Sequence, residues 1–375
     1  MIDDFDEYIR QGEPAQKEKS QIWQTAIGLQ QVDGLTPSAY LIKTAKENIE
    51  GKITIDEVKY RIDSYYKQQT NRKTTEDDRT EEADKVSTNI TEILSEKTFT
   101  FSPAELLSIH KRLFTSVENI RIKVGKARDY NITKNEWVLN GKTVYYASAD
   151  TINATLDYDF LQEKKFNYKG LSKREIVEHV VSFISGLWQI HAFGEGNTRA
   201  IAVFTIKYLR TFGFKVENDM FAKHSWYFRN ALVRANYNDY EHKIYATPEY
   251  LMRFFGNLLL GENNNLKNRD LRISTNNKIG EKPSESFNAS DGGQKEWIGG
   301  QKRWSEKVIR LLELIKEKPT ITRKELSEAL QINPSAVQKH IEKLKNEGVI
   351  TREGSDKKGF WKITSKGNDN NKEIE

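Results

Sequence analysis

The segment with the clearest chemical potential is "HAFGEGNTR", at residues 191–199. It places a histidine, a carboxylate, an amide and an arginine within one short stretch, with glycines between them. Free histidine has a pKa of about 6.5, so His191 suits a general base that takes a proton from an incoming hydroxyl group. The alternative is an ordinary histidine at a helix end, followed by a tight turn. The density of functional groups favours a chemical site.

The other residues of the loop fit a bound phosphate. Gly194 and Gly196 let the backbone approach a phosphate closely, and free N–H groups at the start of the next helix attract anions. Arg199, one turn into that helix, can neutralise phosphate oxygens with its forked donors. Glu195 would repel phosphates unless a divalent cation lay between them, and Mg²⁺ binds such a carboxylate together with phosphate oxygens. The loop therefore predicts a Mg²⁺-dependent phosphate site.

Two apolar segments flank this loop and must position it. "EIVEHVVSFISGLWQI" precedes it and "TRAIAVFTIKYLRTFGF" follows it, and both are apolar nearly all round. Such segments are typical of helices in the centre of a domain, where a site gains rigidity. Upstream, β-branched and aromatic residues lie on both sides of Asn140-Gly141, a pattern that predicts a β-hairpin.

The motif resembles the signature of the Fic family, H-x-F-x-(D/E)-G-N-x-R, and the resemblance covers roughly residues 84–260. The upstream "GKARDYNIT" and the hairpin resemble the flap region of that family. The resemblance implies a mainly α fold, with a Fic/Fido helical core and a β-hairpin flap. It also implies transfer of a nucleoside monophosphate, usually AMP from ATP, to a Ser, Thr or Tyr hydroxyl of a protein. Removal of AMP, with His191 acting on water, is the alternative on the same fold.

The resemblance also implies residue roles. His191 would be the general base and Glu195 the Mg²⁺ ligand. The flap residues Val144 and Tyr145 would pair with an extended target segment by strand addition, although an ordinary hairpin face explains them equally well. The residues assigned to nucleotide binding are Phe193 as the buried anchor of the loop, Gly194, Gly196, Asn197, Thr198, Arg199 and Asn236.

The sequence departs from the family pattern in two places. Ala192 stands where relatives usually have proline, and Ala202 stands where they have a second arginine that holds the γ-phosphate. The segment "LQQVDGLTPSAYLIKTAKENIEG" resembles the family's small antitoxin domain, whose inhibitory signature S/T-x-x-x-E-G aligns best with Leu29 and Asp33-Gly34. In relatives the inhibitory glutamate pairs with the second arginine. We therefore expect no such pair in this chain, and little inhibition through Asp33.

Composition divides the chain into four segments. Residues 1–70 read as short helices, with Thr36 and Thr54 as candidate N-caps, and a charged stretch separates them from the larger domain at 84–262. Residues 263–303 are rich in Asn, Ser, Gly and Lys and read as a linker. Residues 304–365 show three helical segments and then two short strands, which predicts a winged helix-turn-helix.

The winged helix has two candidate roles. DNA binding is the first, which would make the chain a transcriptional regulator with a nucleotide-sensing Fic domain; docking of another protein is the second. Val337, Ile341 and Leu344 should pack inward on the third helix. The candidate DNA contacts are Ser335, Gln338 and Lys339 on that helix, and Arg352, Lys357 and Lys358 at the wing.

The global composition excludes several classes of protein. The 375-residue chain has no cysteine, so disulfides and thiolate chemistry are excluded. Its formal net charge of +5 is a weak indication of anionic partners. No apolar run approaches a membrane span, and the opening residues lack a secretory pattern. We expect a cytoplasmic protein with no membrane partner.

Overall fold

The computed structural model describes most of the chain in two compact units, residues 1–272 and 273–375. The described residues are 5–68, 75–117, 123–216, 219–273, 306–330, 334–346, 348–353 and 359–364.

The described part of the first unit has helices and connecting segments but no regular β-strand. Short 3₁₀ turns connect some of its helices, at Leu29–Asp33, Trp137–Leu139, Ala149–Thr151 and Asn268–Leu271. The α-helices are α1 (Asp6–Gln11), α2 (Pro14–Gly28), α3 (Ala39–Ile49), α4 (Ile55–Gln68), α5 (Thr75–Ser95), α6 (Pro103–Phe114), α7 (Ile152–Lys165), α8 (Lys173–Ile190), α9 (Asn197–Thr211), α10 (Met220–Ala235) and α11 (Glu249–Leu259).

Helices α8 and α9 lie in the centre of this unit, as their apolar sequences predict. Every residue of α9 from Asn197 to Leu209 is buried, and α8 buries its last four residues before the loop. Ser172 begins α8 with a capping box, in which its hydroxyl accepts from the Glu175 N–H. The loop between the two helices is therefore fixed at both ends by buried structure.

The N-terminal helices pack into the same unit. Trp23 of α2 is fully buried with apolar residues of α3 and α4. The N-cap of α3 is Ser38 and not Thr36, because Ser38 has the extended backbone and its hydroxyl accepts from the Leu41 N–H at 3.0 Å. Thr54 does cap α4, and accepts from the Glu57 N–H at 3.2 Å.

Helix α5 crosses the charged stretch that composition places between two domains. Its residue Asp84 is fully buried, and accepts hydrogen bonds from Ser38 and Tyr66 of the N-terminal region. The described end of the stretch is therefore structural, because the Asp84 carboxylate binds the N-cap residue of α3 and Tyr66 of α4. The unit also continues past residue 262, since Leu271 is buried against it.

The second unit has the order expected of a winged helix-turn-helix. Val337, Ile341 and Leu344 pack inward as the periodicity predicts, in a core with Leu311, Leu326 and Trp361. Strands β1 and β2 pair antiparallel, with Ile350 opposite Ile363. The elements are α12 (Glu306–Glu317), α13 (Arg323–Leu330), α14 (Pro334–Asn346), β1 (Ile350–Glu353) and β2 (Phe360–Ile363).

None of the helices in the described ranges is long and apolar enough to cross a membrane.

Candidate active site

His191 ends α8 in the left-handed conformation, with φ 51° and ψ 57°. Residues other than glycine are uncommon in this left-handed region, and the conformation turns the chain sharply out of the helix. Arg128 fixes the turn, since its Nε donates to the His191 carbonyl at 2.8 Å and its backbone N–H donates to the Ala192 carbonyl at 2.8 Å. The His191 ring is buried against Tyr146, with ring centroids 4.0 Å apart.

The imidazole of His191 is a neutral base. Burial, and then the charges of Lys134, Arg128 and Arg229, lower its pKa well below the usual value of 6.5. Its Nδ1 is buried without a hydrogen-bond partner among the described residues. A neutral imidazole has one basic ring nitrogen, so the lowered pKa keeps His191 in the protonation state that a general base requires.

A second histidine, His110 of α6, holds the loop that follows. Its ring stacks on Phe193, with centroids 3.7 Å apart and planes within 9°. Its Nδ1 accepts from the Gly125 N–H at 2.9 Å, so its Nε2 carries the proton and donates to the Glu195 carbonyl at 3.1 Å. Phe193 is buried, as expected of the loop's anchor.

Asn197 and Gly196 shape the loop from its other end. The Asn197 side chain accepts from the Phe193 N–H at 2.9 Å and donates to the Phe193 carbonyl at 2.7 Å. Gly196 has φ +72°, and a Cβ there would lie 2.3 Å from the Phe114 ring. Both residues therefore have positioning roles, and phosphate contacts by Asn197 remain a prediction.

The loop forms the floor of a cavity of about 180 Å³. It is lined mostly by polar and charged residues, which makes it suited to an anionic ligand together with a cation. The lining residues are Asp33, Leu35, Arg79, Glu82, Lys134, Trp188, His191, Glu195, Gly196, Asn197, Thr198, Arg199 and Arg229.

Arg199 lies in this cavity between two carboxylates. Its Nη2 donates to Glu82 at 2.6 Å, and its Nη1 donates to Gln30 at 3.1 Å. Its Nε lies 2.8 Å from Asp33 Oδ2, but the angle is too poor for a hydrogen bond. The expectation that Asp33 lacks an arginine partner is therefore wrong: it pairs with the first arginine of the motif instead of the missing second one.

Glu195 is exposed at the rim of the same cavity. No described side chain forms an ion pair with its carboxylate, although cationic residues line the cavity. When Mg²⁺ is bound together with a nucleotide, it takes its oxygen ligands from a protein carboxylate and from the phosphates. Glu195 offers such a carboxylate, and the cationic residues beside it suit the phosphates. The residues present thus fit the metal that the sequence predicts.

The flap reverses at Asn140 and Gly141, which have φ values of 52° and 86°. The Glu136 N–H donates to the Lys142 carbonyl across the turn. Residues 123–151 form no regular strand, so the predicted turn is present but the two paired strands of a β-hairpin are not. Val144 is buried and Tyr145 is 61% exposed. The Gln189 side chain of α8 donates to the Tyr145 carbonyl at 3.0 Å and holds the flap near the loop between α8 and α9.

Several predicted residues lie away from the cavity. Asn236 does not line it, because its amide donates to Ser185 of α8 and to the Leu232 carbonyl at the end of α10. In this structure the Asn236 amide links α8 and α10, and a nucleotide contact by Asn236 remains a prediction. Gly194 and Phe193 support the loop without lining the cavity.

Only part of the predicted DNA-contacting set can be placed. The Gln338 amide donates to Glu342 on the same helix, and Arg352 lies over the Trp361 ring at 4.7 Å. The side chains of Ser335 and Lys339, together with Lys357 and Lys358, fall outside the described part of the structure.

The comparisons with known proteins agree with this architecture. Residues 100–209 match the Fic/DOC family model. The chain carries a Fic/DOC family domain. Residues 305–351 match the winged helix-turn-helix DNA-binding family, so the Fic domain is combined with a DNA-binding type of module. No curated protein matches the chain.

Solved structures of Fic proteins resemble the chain at low identity. The N-terminal Fic domain of a Bartonella effector protein from Bartonella sp. AR 15-3 is 21% identical, with a TM-score of 0.40, and the match covers 51% of this chain and 85% of that one. A Fic family protein from Desulfovibrio desulfuricans is 12% identical, with a TM-score of 0.44, and the match covers 97% of this chain and 94% of that one.

Sequence reasoning missed several residues of the Fic site. Glu82 and Gln30 contact Arg199 from segments far away in sequence, and Arg229 and Lys134 line the cavity from α10 and the flap. No sequence motif indicated that His110 belongs to the site. The signal available was the small number of histidines, six in the chain, which makes a histidine inside an apolar helix worth noting.

Proposed function

We propose that the chain is a protein adenylyltransferase that moves AMP from ATP to a hydroxyl side chain of a protein. The observation that supports this is a neutral, buried His191 in the lining of the same cavity as Glu195 and Arg199. A base, a metal-binding carboxylate and a phosphate-binding guanidinium are the parts that nucleotidyl transfer needs.

The proposed reaction is an in-line displacement at the α-phosphorus. His191 takes the proton of the target hydroxyl, whose oxygen forms a bond to the α-phosphorus. The bond between that phosphorus and the bridging oxygen breaks, and pyrophosphate leaves with the electron pair. When bound, Mg²⁺ would neutralise phosphate charge from its position at Glu195. Arg199 and the N–H groups at the start of α9 would orient the phosphates.

The flap would present the target. Because Val144 packs inward while Tyr145 faces solvent, the extended segment around them offers one side to an incoming strand. The Gln189 bond to the Tyr145 carbonyl keeps this segment close to His191. A target chain paired there would bring its hydroxyl to the base.

Labelled ATP tests the proposal. With ATP labelled at the α-phosphate, label should appear on protein, whereas ATP labelled at the γ-phosphate should give none. His191→Ala should lower labelling by at least about a hundredfold, as expected for loss of a general base. His242→Ala, at an exposed histidine outside the cavity, is the matched control and should label like the wild type. Labelling by His191→Ala at the wild-type rate would exclude His191 as the base.

Binding of DNA by the second unit is a further candidate function. The match of residues 305–351 to a DNA-binding family favours it over protein docking. The Fic domain would then transfer AMP, remove it from a modified protein, or sense a nucleotide in a transcriptional regulator. Release of AMP from an AMP-modified protein, in place of labelling by ATP, would support removal.

A further inference from the structure

The cavity contains four cationic side chains, and their partners differ. Arg199 is engaged by Asp33 and Glu82, and Arg229 forms a two-pronged ion pair with the buried Glu136, at 2.6 and 3.2 Å. Arg79 is exposed and donates to the backbone carbonyls of residues 33 and 34 at 3.0 Å. The charges of Arg199 and Arg229 are thus largely neutralised within the protein.

Lys134 differs from these arginines. Its side chain is half-buried and lines the cavity, and no carboxylate of the described residues pairs with its ammonium group. Its backbone N–H donates to the Thr143 hydroxyl at 3.0 Å, which fixes this arm of the flap to the other arm. This bond uses only the backbone of Lys134, so the ammonium group remains available to a ligand.

The position of Lys134 within the cavity indicates which part of a nucleotide it would meet. Lys134 and His191 line the same small cavity of about 180 Å³, and the charge of Lys134 helps to lower the pKa of His191, so the ammonium lies near the base. In an in-line displacement the base touches the attacking hydroxyl, and the leaving group lies on the opposite side of the phosphorus. A cation beside the base therefore meets the phosphoryl group under attack, and not the pyrophosphate.

Position 202 cannot supply a comparable cation. Ala202 is fully buried inside α9 and does not line the cavity. Beyond Arg199, which is already paired with carboxylates, the phosphate charge must then be met by cations that reach the cavity from elements other than α9.

From this arrangement we infer that Lys134 is a catalytic residue that contacts the α-phosphoryl group of the bound nucleotide. The inference rests on the proposed function. Lys134 would draw a non-bridging oxygen of the α-phosphate towards the flap and neutralise charge on the group during transfer.

The test compares Lys134→Gln, Lys134→Arg and the control Lys142→Gln in the full chain. Lys142 is also a flap lysine, but it pairs with Asp239 and does not line the cavity. Lys134→Gln should lower kcat for AMP transfer by about a hundredfold, the usual effect of removing one donor from a developing charge. Lys134→Arg should recover at least a tenth of the wild-type rate, and Lys142→Gln should be unchanged.

Nucleotide affinity separates this inference from the proposed function. By calorimetry with Mg²⁺, Lys134→Gln should weaken the binding of ATP and of AMP by the same factor, because both carry the α-phosphate. If the wild type binds ATP but transfers nothing, the proposed function fails. In that case, equal losses of affinity for ATP and AMP in Lys134→Gln would still support the contact between Lys134 and the α-phosphate. An unchanged affinity and rate in Lys134→Gln, a loss for ATP alone, or a wild type that binds no nucleotide would each overturn the inference.

Discussion

His110 and His191 are both buried, yet their surroundings suit them to different work. Burial lowers the pKa of His110 to about 4, and both its ring nitrogens have hydrogen-bond partners. Burial also lowers the pKa of His191, but its Nδ1 has no partner in the described structure. A histidine with both ring nitrogens satisfied holds backbone in place, and this is the role of His110. His191 is the histidine proposed as the base.

His110 makes the stability of the protein depend on pH. Its folded pKa of about 4 lies below the unfolded value of about 6.5, so the unfolded state binds more protons between these values. The stability from the neutral ring is present above pH 6.5 and is lost as pH falls towards 4, by roughly 3 kcal/mol. His110→Asn should therefore show a smaller fall in the free energy of unfolding between pH 7 and 4.5, measured with urea.

The wild-type curve alone does not isolate this effect. Burial raises the pKa of Asp84 to about 6, so its contribution has the opposite sign and increases stability as pH falls below 6. The quantity to compare is the difference between the wild type and His110→Asn, with His242→Asn as an exposed histidine control. An equal pH slope in all three proteins would contradict the assignment.

At the scale of elements, the loop between α8 and α9 depends on the conformation of Gly196. Gly196→Ala should lose at least about 2 kcal/mol of stability and most of the activity, since it combines a positive φ with a Cβ 2.3 Å from Phe114. Gly186→Ala is the matched control, because it lies in α8 with open space around its Cβ. It should be neutral or stabilising by up to about 1 kcal/mol. Thermal unfolding of both variants measures the difference.

The sequence predicted this loop and its two helices because their signals are local. A histidine, glycines and an arginine lie close together in the sequence, and the apolar segments that form α8 and α9 are long. The bonds of Asn236 to Ser185 could not be predicted, because a single amide has no local signal of which helix packs against it. Glu82 and Gln30 could not be predicted at Arg199, since that meeting depends on how α5 and the 3₁₀ turn pack in three dimensions.

At the scale of the whole Fic-containing unit, three segments meet at Arg199. Asp33 comes from the N-terminal region and Glu82 from α5, while Arg199 belongs to the motif. A nucleotide that uses Arg199 must share it with these carboxylates or displace them. The N-terminal helices also bury Trp23 and Ile27, so removing residues 1–70 would expose core and not merely release the site.

Neutralising these carboxylates should strengthen nucleotide binding. Asp33 is 38% exposed and shares Arg199 with Glu82, so we expect Asp33→Asn alone to raise ATP affinity by no more than about tenfold. The double variant Asp33→Asn with Glu82→Gln should bind ATP more tightly than either single variant. Glu92→Gln is the control, because Glu92 lies on the same helix and pairs with Lys59 and Arg112 away from the cavity. Calorimetric titration with ATP decides this, and weaker binding by the double variant would show that the carboxylates orient Arg199 for the nucleotide.

The boundary of the first unit provides a last prediction. Chains ending at residue 261 and at residue 272 differ by a segment in which Leu271 is buried, Asn268 accepts from Asn230 at 2.8 Å, and Arg272 lies over the Trp137 ring at 5.5 Å. The shorter chain should be less stable by about 2–4 kcal/mol, the usual range for losing a buried leucine with its neighbours, and should melt several degrees lower. The chain 1–272 should keep the transfer activity of the full protein, because every residue that lines the cavity is present in it.

Neither truncated chain should retard DNA from the upstream region of its own gene in a gel, whereas the full chain should do so. Retardation by the chain 1–272 would assign DNA binding to the first unit, and no retardation by the full chain would favour protein docking by the winged helix.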